Sequence, residues 1–439
     1  LKDIEDMLRE MGLASWEELF SDVPKELWVE RLDLPDGVSE WELLREVREV
    51  LSKNRDATRM PIFLGAGVYV HYIPSAVFAI ASRSEFYTSY TPYQAEITQG
   101  MLQVLFEYQS VMAELTGMEV ANSSMYDAST ALGEAARMAH AVTGKREILV
   151  PEAMLWEKRS VLQNYVKGIG MKVRSYPHDP KTGMADLDAV AEMIGEDTAA
   201  IYGEVPNFFG VIDENVMRFG EMKGRALFIA GVNPVSLGVI KPPGEYGADI
   251  VVGEGQVLGN PPGFGGPLLG VFATRKKYVR RMPGRLIGAT VDKSGRRAFV
   301  MTLQTREQHI RRGKATSNIC SNEALCALMT VAYVALLGRS GLRRLGEINM
   351  ANAQRVMKAL SSLPGFRAPH FQAHHFNEFV VDLPIPAREI NEHLLKRGIQ
   401  GGLPLDGCHG LGNSMLMAVT EVITEADVEA LISALQEVV

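Results

Sequence analysis

Gly253-Glu254-Gly255-Gln256-Val257-Leu258-Gly259-Asn260-Pro261-Pro262-Gly263-Phe264-Gly265-Gly266-Pro267 is the stretch whose reading decides the fold. The run Ala248-Asp249-Ile250-Val251-Val252 leads into it and the apolar run Leu268 to Ala273 leads out, which marks a glycine-rich connection between two buried strands. Glycine lets backbone pass close to another group, whereas Pro261, Pro262 and Pro267 stiffen the segment. A mobile surface loop and a loop held close against something are both open readings.

Working outward, the chain from Arg146 alternates short apolar strands with helical stretches. The strand candidates are Ile148 to Val150, Lys172 to Tyr176, Ala199 to Val205, Ala226 to Ala230, Ile250 to Val252 and Leu268 to Ala273. Such alternation predicts an α/β fold with a mainly parallel central sheet wrapped by helices on both faces. Ligands in these sheets bind beyond the carboxyl ends of the strands. Pro206-Asn207, Ala230 to Asn233 and Gly253 to Gly266 all follow strand ends, so they are expected to meet in space.

Upstream, Ile4, Met7, Leu8 and Met11, then Trp16, Leu19 and Phe20, recur at helical spacing, with Pro24, Pro35 and Gly37 as breaks. Residues 1–60 therefore read as a helical arm that packs on its own chain or on a partner. Aromatics interleaved with Gly, Thr, Ser and Pro over 61–98 suggest either a shaped loop presenting hydroxyls and rings or an aromatic packing cluster. Helical periodicity returns from Gly100 to Gly117 and again from Ala128 to Val142. Asn122, Ser123, Ser124 and Asp127 precede the second of these helices, where they either cap it or leave amide donors for a phosphate or carboxylate.

Downstream, Ala324 to Leu337 reads as a buried helix, shorter than a membrane span. Phe376 to Asp382 and Ser414 to Thr420 look like strands, and Thr424-Glu425-Ala426-Asp427 like a capping box ahead of an amphipathic terminal helix. The expected organisation is an arm (1–60), a large α/β domain (61–325) and a smaller α+β C-terminal domain (326–439).

The 439 residues carry 45 basic and 53 acidic side chains, a formal charge of −8, which speaks against nucleic acid or an anionic membrane as partner. Three cysteines at 320, 326 and 408 match neither a disulfide framework nor a zinc site, and no basic segment followed by an apolar core and a cleavage site opens the chain. A cytoplasmic location is expected. His370, His374 and His375 lie beside a strand pattern rather than on a helix face, so no metal site is expected, and adjacent Cys408-His409 is a poor nucleophile–base pair. The polar run Arg306 to Cys320 either pairs with acids inside the fold or, through Arg311, Arg312 and Lys314, braces an interface.

Three strings are more specific. They are Tyr87-Thr88-Ser89-Tyr90-Thr91-Pro92-Tyr93-Gln94-Ala95-Glu96-Ile97, Leu115-Thr116-Gly117-Met118, and Arg306-Glu307-Gln308-His309-Ile310-Arg311-Arg312 followed by Lys314-Ala315-Thr316-Ser317-Asn318-Ile319-Cys320. On these the chain resembles the glycine decarboxylase P-protein family, the pyridoxal-phosphate component of the glycine cleavage system. The resemblance implies the transferase-like aspartate aminotransferase fold (fold type I). In catalytic members a His-Lys pair precedes the glycine-rich segment, and the lysine forms the Schiff base. Aligned on Pro-Pro-Gly-Phe-Gly-Gly-Pro, that pair falls on Gly255 and Gln256. The family's cofactor aspartate falls on Ala230 of Ala230-Gly231-Val232-Asn233.

The resemblance therefore implies the lysine-less first (alpha) subunit of a heteromeric glycine dehydrogenase, in an α2β2 assembly. Such an enzyme decarboxylates glycine and passes the aminomethyl group to the lipoyl arm of the H-protein. Pyridoxal phosphate is then held covalently by the lysine-bearing beta subunit. Tyr90, Thr91, Tyr93 and Glu96 are the residues expected to complete the partner's catalytic site, with Asn122, Ser123 and Ser124 toward the cofactor or the glycine carboxylate. Two alternatives stay open. One is a structural scaffold for the beta subunit; the other is a self-sufficient pyridoxal enzyme using Lys241, the one lysine between the Ala230 strand and the glycine-rich loop.

Overall fold

The computed structural model describes residues 2–29, 31–87, 90–263 and 265–438. Thr88, Ser89 and Phe264 of the strings quoted above lie outside the described residues. By internal contacts the chain divides into residues 1–56 and residues 57–439.

The first unit holds helices Lys2–Glu10 and Glu40–Leu51 and two short 3-10 turns. Ser39 starts the second helix through a reciprocal capping box with Glu42. None of its described residues is buried, so the unit encloses no core of its own.

The second unit is built on a seven-stranded sheet. Its strands are β1 (Val120–Ala121), β2 (Glu147–Pro151), β3 (Lys172–Tyr176), β4 (Thr198–Val205), β5 (Leu227–Val232), β6 (Ile250–Glu254) and β7 (Gly270–Thr274). Their spatial order is β1-β7-β6-β5-β4-β2-β3. The run from β3 to β6 is parallel, while β7 pairs antiparallel with β6 and β1 antiparallel with β7. The glycine-rich stretch thus joins antiparallel neighbours, with Glu254 opposite Gly270 at its base.

Both faces of the sheet are covered, and the side-chain alternation of the strands shows it. Leu149, Ile201, Phe228, Ala230 and Val251 enter one apolar cluster with helix Gln99–Thr116 and the start of helix Ala324–Leu360. Ile148, Val150, Ala200, Ile229, Ile250 and Val252 enter the opposite cluster, against helices Ala128–Thr143 and Trp156–Lys167. The helix Ala128–Thr143 is capped by Asp127, whose side chain accepts from Thr130 N, and ends on the left-handed Gly144.

Helix Ala324–Leu360 is the one helix among the described residues long and apolar enough to cross a membrane. It is interrupted at Gly338 (φ 60°, ψ −176°), and its first segment packs Cys326, Ala327, Leu328 and Met329 inside the protein. Beyond the interruption come the three-stranded antiparallel sheet β10-β12-β11 (β10, Glu378–Asp382; β11, Leu403–Pro404; β12, Ser414–Ala418) and helices Ala387–Lys396 and Glu425–Gln436. Thr424 and Asp427 form the expected capping box. A hairpin of β8 (Leu286–Val291) and β9 (Arg297–Thr302) was not expected from the sequence. Its outer half is exposed, although Leu286-Ile287 and Ala298 to Met301 are apolar. We propose that the C-terminal part forms a domain of its own, because its core cluster draws on residues 353–435 and only Phe63 from elsewhere.

Segment 62–69 links the two sheets. Phe63 exchanges backbone hydrogen bonds with Gln400 and Ala418, and Tyr69 reaches the glycine-rich loop. Gly210 carries φ 78°, and a Cβ there would lie 2.0 Å from the Glu378 carbonyl oxygen. Gly210→Ala is therefore expected to destabilise the protein by about 3 kcal/mol or more, combining backbone strain with overpacking, as read by denaturant unfolding.

Candidate functional site

The strand ends do converge. Pro206 and Asn207, Gly231 to Asn233, and Gly253, Glu254 and Gly265 line one cavity of about 570 Å³, closed on its other sides by 64–69, Asp127–Ser129, Leu155–Lys158 and Asn377–Glu378. The carboxyl ends of β4, β5 and β6 form its floor, as expected of an open α/β sheet.

Gln256 is buried at 1 % exposure, and its side chain is fully engaged. Its Oε1 accepts from Tyr69 N (3.0 Å), while Nε2 donates to Tyr69 O (3.0 Å) and Asn260 O (2.7 Å). An amide has one carbonyl and two N–H groups to satisfy, and all three are used. The residue aligned with the family's lysine is thus a clamp between segment 62–69 and the loop, and it does not line the cavity.

Glu254, at the end of β6, draws three backbone N–H groups onto one carboxylate. Oε1 accepts from Gln256 N (3.0 Å) and Leu269 N (2.9 Å), and Oε2 from Ala128 N (3.0 Å). The last of these is the first N–H of helix Ala128–Thr143. Burial pushes the Glu254 carboxyl up to about 7 against the pull of these donors. Across the cavity, Glu378 accepts from Ala66 N (2.6 Å) and Tyr69 Oη (2.6 Å), and burial likewise raises it to about 7. Glu204, on β4, takes Tyr202 Oη and Lys158 Nζ, each at 2.5 Å.

These residues do not fit pyridoxal phosphate. Lys158 is the one lysine among the lining residues, and its ammonium is paired with Glu204. Lys241 is exposed, lies 4.0 Å from Glu245 and does not line the cavity. Ala230 is enclosed in the core and offers the ring no carboxylate. The helix start that would receive a phosphate already holds Glu254.

The residues expected to serve a neighbouring site assemble elsewhere. Asn122, Ser123 and Ser124 do not cap the helix; that is the work of Asp127, and the three instead turn inward beyond β1. Ser123 N donates to Arg285 O (2.9 Å), and Asn322 Nδ2 to Ser123 O (3.0 Å). Glu323 N donates to Ser124 Oγ (2.9 Å), at a residue holding φ 143°. Arg285, 3 % exposed, donates from Nη2 to Tyr93 Oη (2.9 Å). Ser321 Oγ reaches Tyr90 Oη (2.5 Å).

The two expected groups therefore meet, through Arg285 and 321–323. A surface pocket of about 410 Å³ opens beside them, lined by Tyr93, Glu307, Gln308, His309, Arg312, Gly313, Ile319 and Cys320. Glu307 lies between Arg285 (3.8 Å) and His309 (3.5 Å). Thr91 Oγ1, Asn122 Oδ1, Ser123 Oγ and Arg285 Nε and Nη1 are buried with no hydrogen-bond partner. Glu96 is exposed and does not line this pocket. Arg306 is structural, donating to the carbonyls of Met282 and Gly284.

Sequence reasoning missed Lys158, Glu204, Glu254, Arg285 and Glu378. Each also has a partner 46 to 312 positions away along the chain, which no local pattern marks.

The chain matches the family model "Glycine cleavage system P-protein" over residues 1–435. It is 50 % identical, over 99 % of its length and 97 % of the relative's, to a probable glycine dehydrogenase (decarboxylating) subunit 1 of Thermococcus onnurineus (strain NA1). A crystal structure of glycine decarboxylase (P-protein) of the glycine cleavage system in inhibitor-bound form superposes with a TM-score of 0.92 at 43 % identity, covering 100 % of this chain and 98 % of that one. The glutamate decarboxylase of Lactobacillus brevis CGMCC 1306 shares the fold at 14 % identity, with a TM-score of 0.69 and coverage of 94 % and 95 %. The fold is that of the pyridoxal-phosphate-dependent fold type I enzymes.

Two outcomes follow from the cavity. Gln256→Ala strips the buried Tyr69 N–H and C=O of their partners and is expected to cost about 2–4 kcal/mol in an unfolding titration. Glu378, ordinarily near 4.5 but raised to about 7 in the fold, binds its proton more tightly folded than unfolded. Its contribution to stability is therefore largest below about pH 4.5, falls as pH rises toward 7 and levels off above, by about 1–3 kcal/mol. Glu378→Gln should flatten the melting temperature over that window.

Proposed function

The chain belongs to the glycine cleavage system P-protein family, and from that premise we propose that it is subunit 1 (alpha) of a glycine dehydrogenase (aminomethyl-transferring) that works only with a second subunit. The assembly decarboxylates glycine and hands the aminomethyl group to the lipoyl arm of the H-protein. The lysine-bearing beta subunit holds the pyridoxal phosphate, in an α2β2 arrangement in the cytoplasm. The cofactor, when bound there, accepts the electron pair released as glycine loses its carboxyl group.

This chain's part is to complete the neighbouring site. The observation that carries this reading is the contrast between its two polar regions. The strand-end cavity has no free lysine and an anion seat that is already filled, whereas Tyr93, Arg285, Glu307 and His309 stand beside an open pocket with buried donors and acceptors unpaired. The exposed Tyr93 and His309 at the open pocket are what a neighbouring chain can reach, with Arg285 holding Tyr93 in place beneath them. Arg285 orients the Tyr93 hydroxyl from below, and Arg312 and His309 give the pocket donors suited to a carboxylate or phosphate. Exposed Tyr87, Tyr90, Tyr93 and Ile97 supply rings and apolar surface for the entering lipoyl arm. Lys241 lies outside both regions, which weighs against a self-sufficient enzyme.

Reconstitution with the second subunit tests the reading. Tyr93→Phe and Ser123→Ala are each expected to lower glycine decarboxylation by about 10- to 100-fold without loss of assembly, the range for an oriented polar group at a reacting centre. Unchanged activity in both would leave the scaffold reading in its place.

A further inference from the structure

The three N–H groups that meet at Glu254 come from three separate segments: the start of a helix, the turn after β6 and the strand entering β7. One of them is the first N–H of a 16-residue helix, and backbone donors gathered beside a helix start form an anion site of the kind that holds phosphate. Asp127, Ala128 and Ser129 line the cavity, so that site opens inward onto a space large enough for a ligand. Its occupant is a side chain of the chain itself, 91 % buried.

We infer that the Glu254 carboxylate is a built-in replacement for a ligand phosphate, and that it closes this chain's cavity to phosphorylated cofactors. Two features reinforce the closure. The remaining charged groups on the cavity wall include the carboxylates of Glu204 and Glu378, and Asp127 sits beside the helix start. The one lysine on the wall, Lys158, is committed to Glu204 at 2.5 Å. An approaching phosphate would therefore meet like charge in a poorly solvated space, with its donors taken and no free cation to offset the repulsion.

The closure itself rests only on contacts within this chain. Its use rests on the subunit reading: in an assembly of two related chains, an open seat here would compete with the catalytic one for the same cofactor. Glu254 is then a specificity-determining residue that leaves one cofactor seat per pair.

The test uses the full chain at pH 8, with thermal unfolding followed in phosphate and in chloride at matched ionic strength. Glu254→Ala removes the internal anion and leaves the Ala128 N–H at the cavity wall, with the Gln256 and Leu269 N–H groups behind it. The variant's melting temperature is expected to rise with phosphate by roughly 3 °C more than the wild type's, saturating in the millimolar range, as ligand linkage predicts for a site regained. Equal phosphate effects in both proteins would overturn the inference. Glu254→Gln gives an independent reading if the alanine variant does not fold. It keeps the size but turns an NH2 group toward one of the three donors, so a lower melting temperature at pH 8 is expected. An unchanged or higher one would show that the seat does not want an anion.

Discussion

One carboxylate and one amide, two residues apart, hold the centre of this protein together. Glu254 ties the end of β6 to the entry of β7 and to the helix beginning at Ala128, and Gln256 ties the same turn to the backbone of Tyr69. Through Tyr69 and Ala66 the connection continues to Glu378, at the start of the smaller sheet. The glycine-rich loop is therefore not a mobile surface segment at its base. It is the joint at which two sheets and a helix start meet, and its glycines let backbone approach that closely, as where Gly255 N donates to Leu269 O at 2.6 Å.

That joint accounts for why the residues at these strand ends do not fit the cofactor that the fold elsewhere holds. A lysine at 256 and no carboxylate at 254 would leave the Tyr69 N–H and the Ala128 N–H without these partners. With Gln256 and Glu254 in their places, the same hydrogen-bonding capacity is spent within the chain. Thr91, Asn122, Ser123 and Arg285 carry buried polar atoms without hydrogen-bond partners near an open surface pocket, as Asn260 and Asn377 do at the loop and the cavity wall. On the proposed reading, the chemistry that the chain offers lies at this face rather than at its own strand ends.

Much of this was legible beforehand, and the reason is local. β3 and the helix following Asp127 announce themselves through alternation, apolar runs and caps, and the Thr424 box sits where its four residues place it. The meeting of three strand ends followed from topology alone. What stayed hidden depends on partners far along the chain. Nothing near Lys158 marks it as a cavity residue, and Glu204 reads as one more acid until Tyr202 and Lys158 are seen to hold it. Asn122 and Ser123 look like cap residues because they precede a helix. The chain instead turns them inward before Asp127 takes the cap, and that turn is set by the contacts with Arg285 and Asn322.

The central claim is that this chain completes a cofactor site it does not itself contain. The most direct measurement is borohydride reduction with added pyridoxal phosphate, on the chain alone and then with the lysine-bearing second subunit, followed by peptide mapping. The account predicts covalent label only in the presence of the partner, and only on the partner's peptides. Stoichiometric label on Lys158 or Lys241 of the isolated chain would contradict it, and would make this cavity catalytic in its own right.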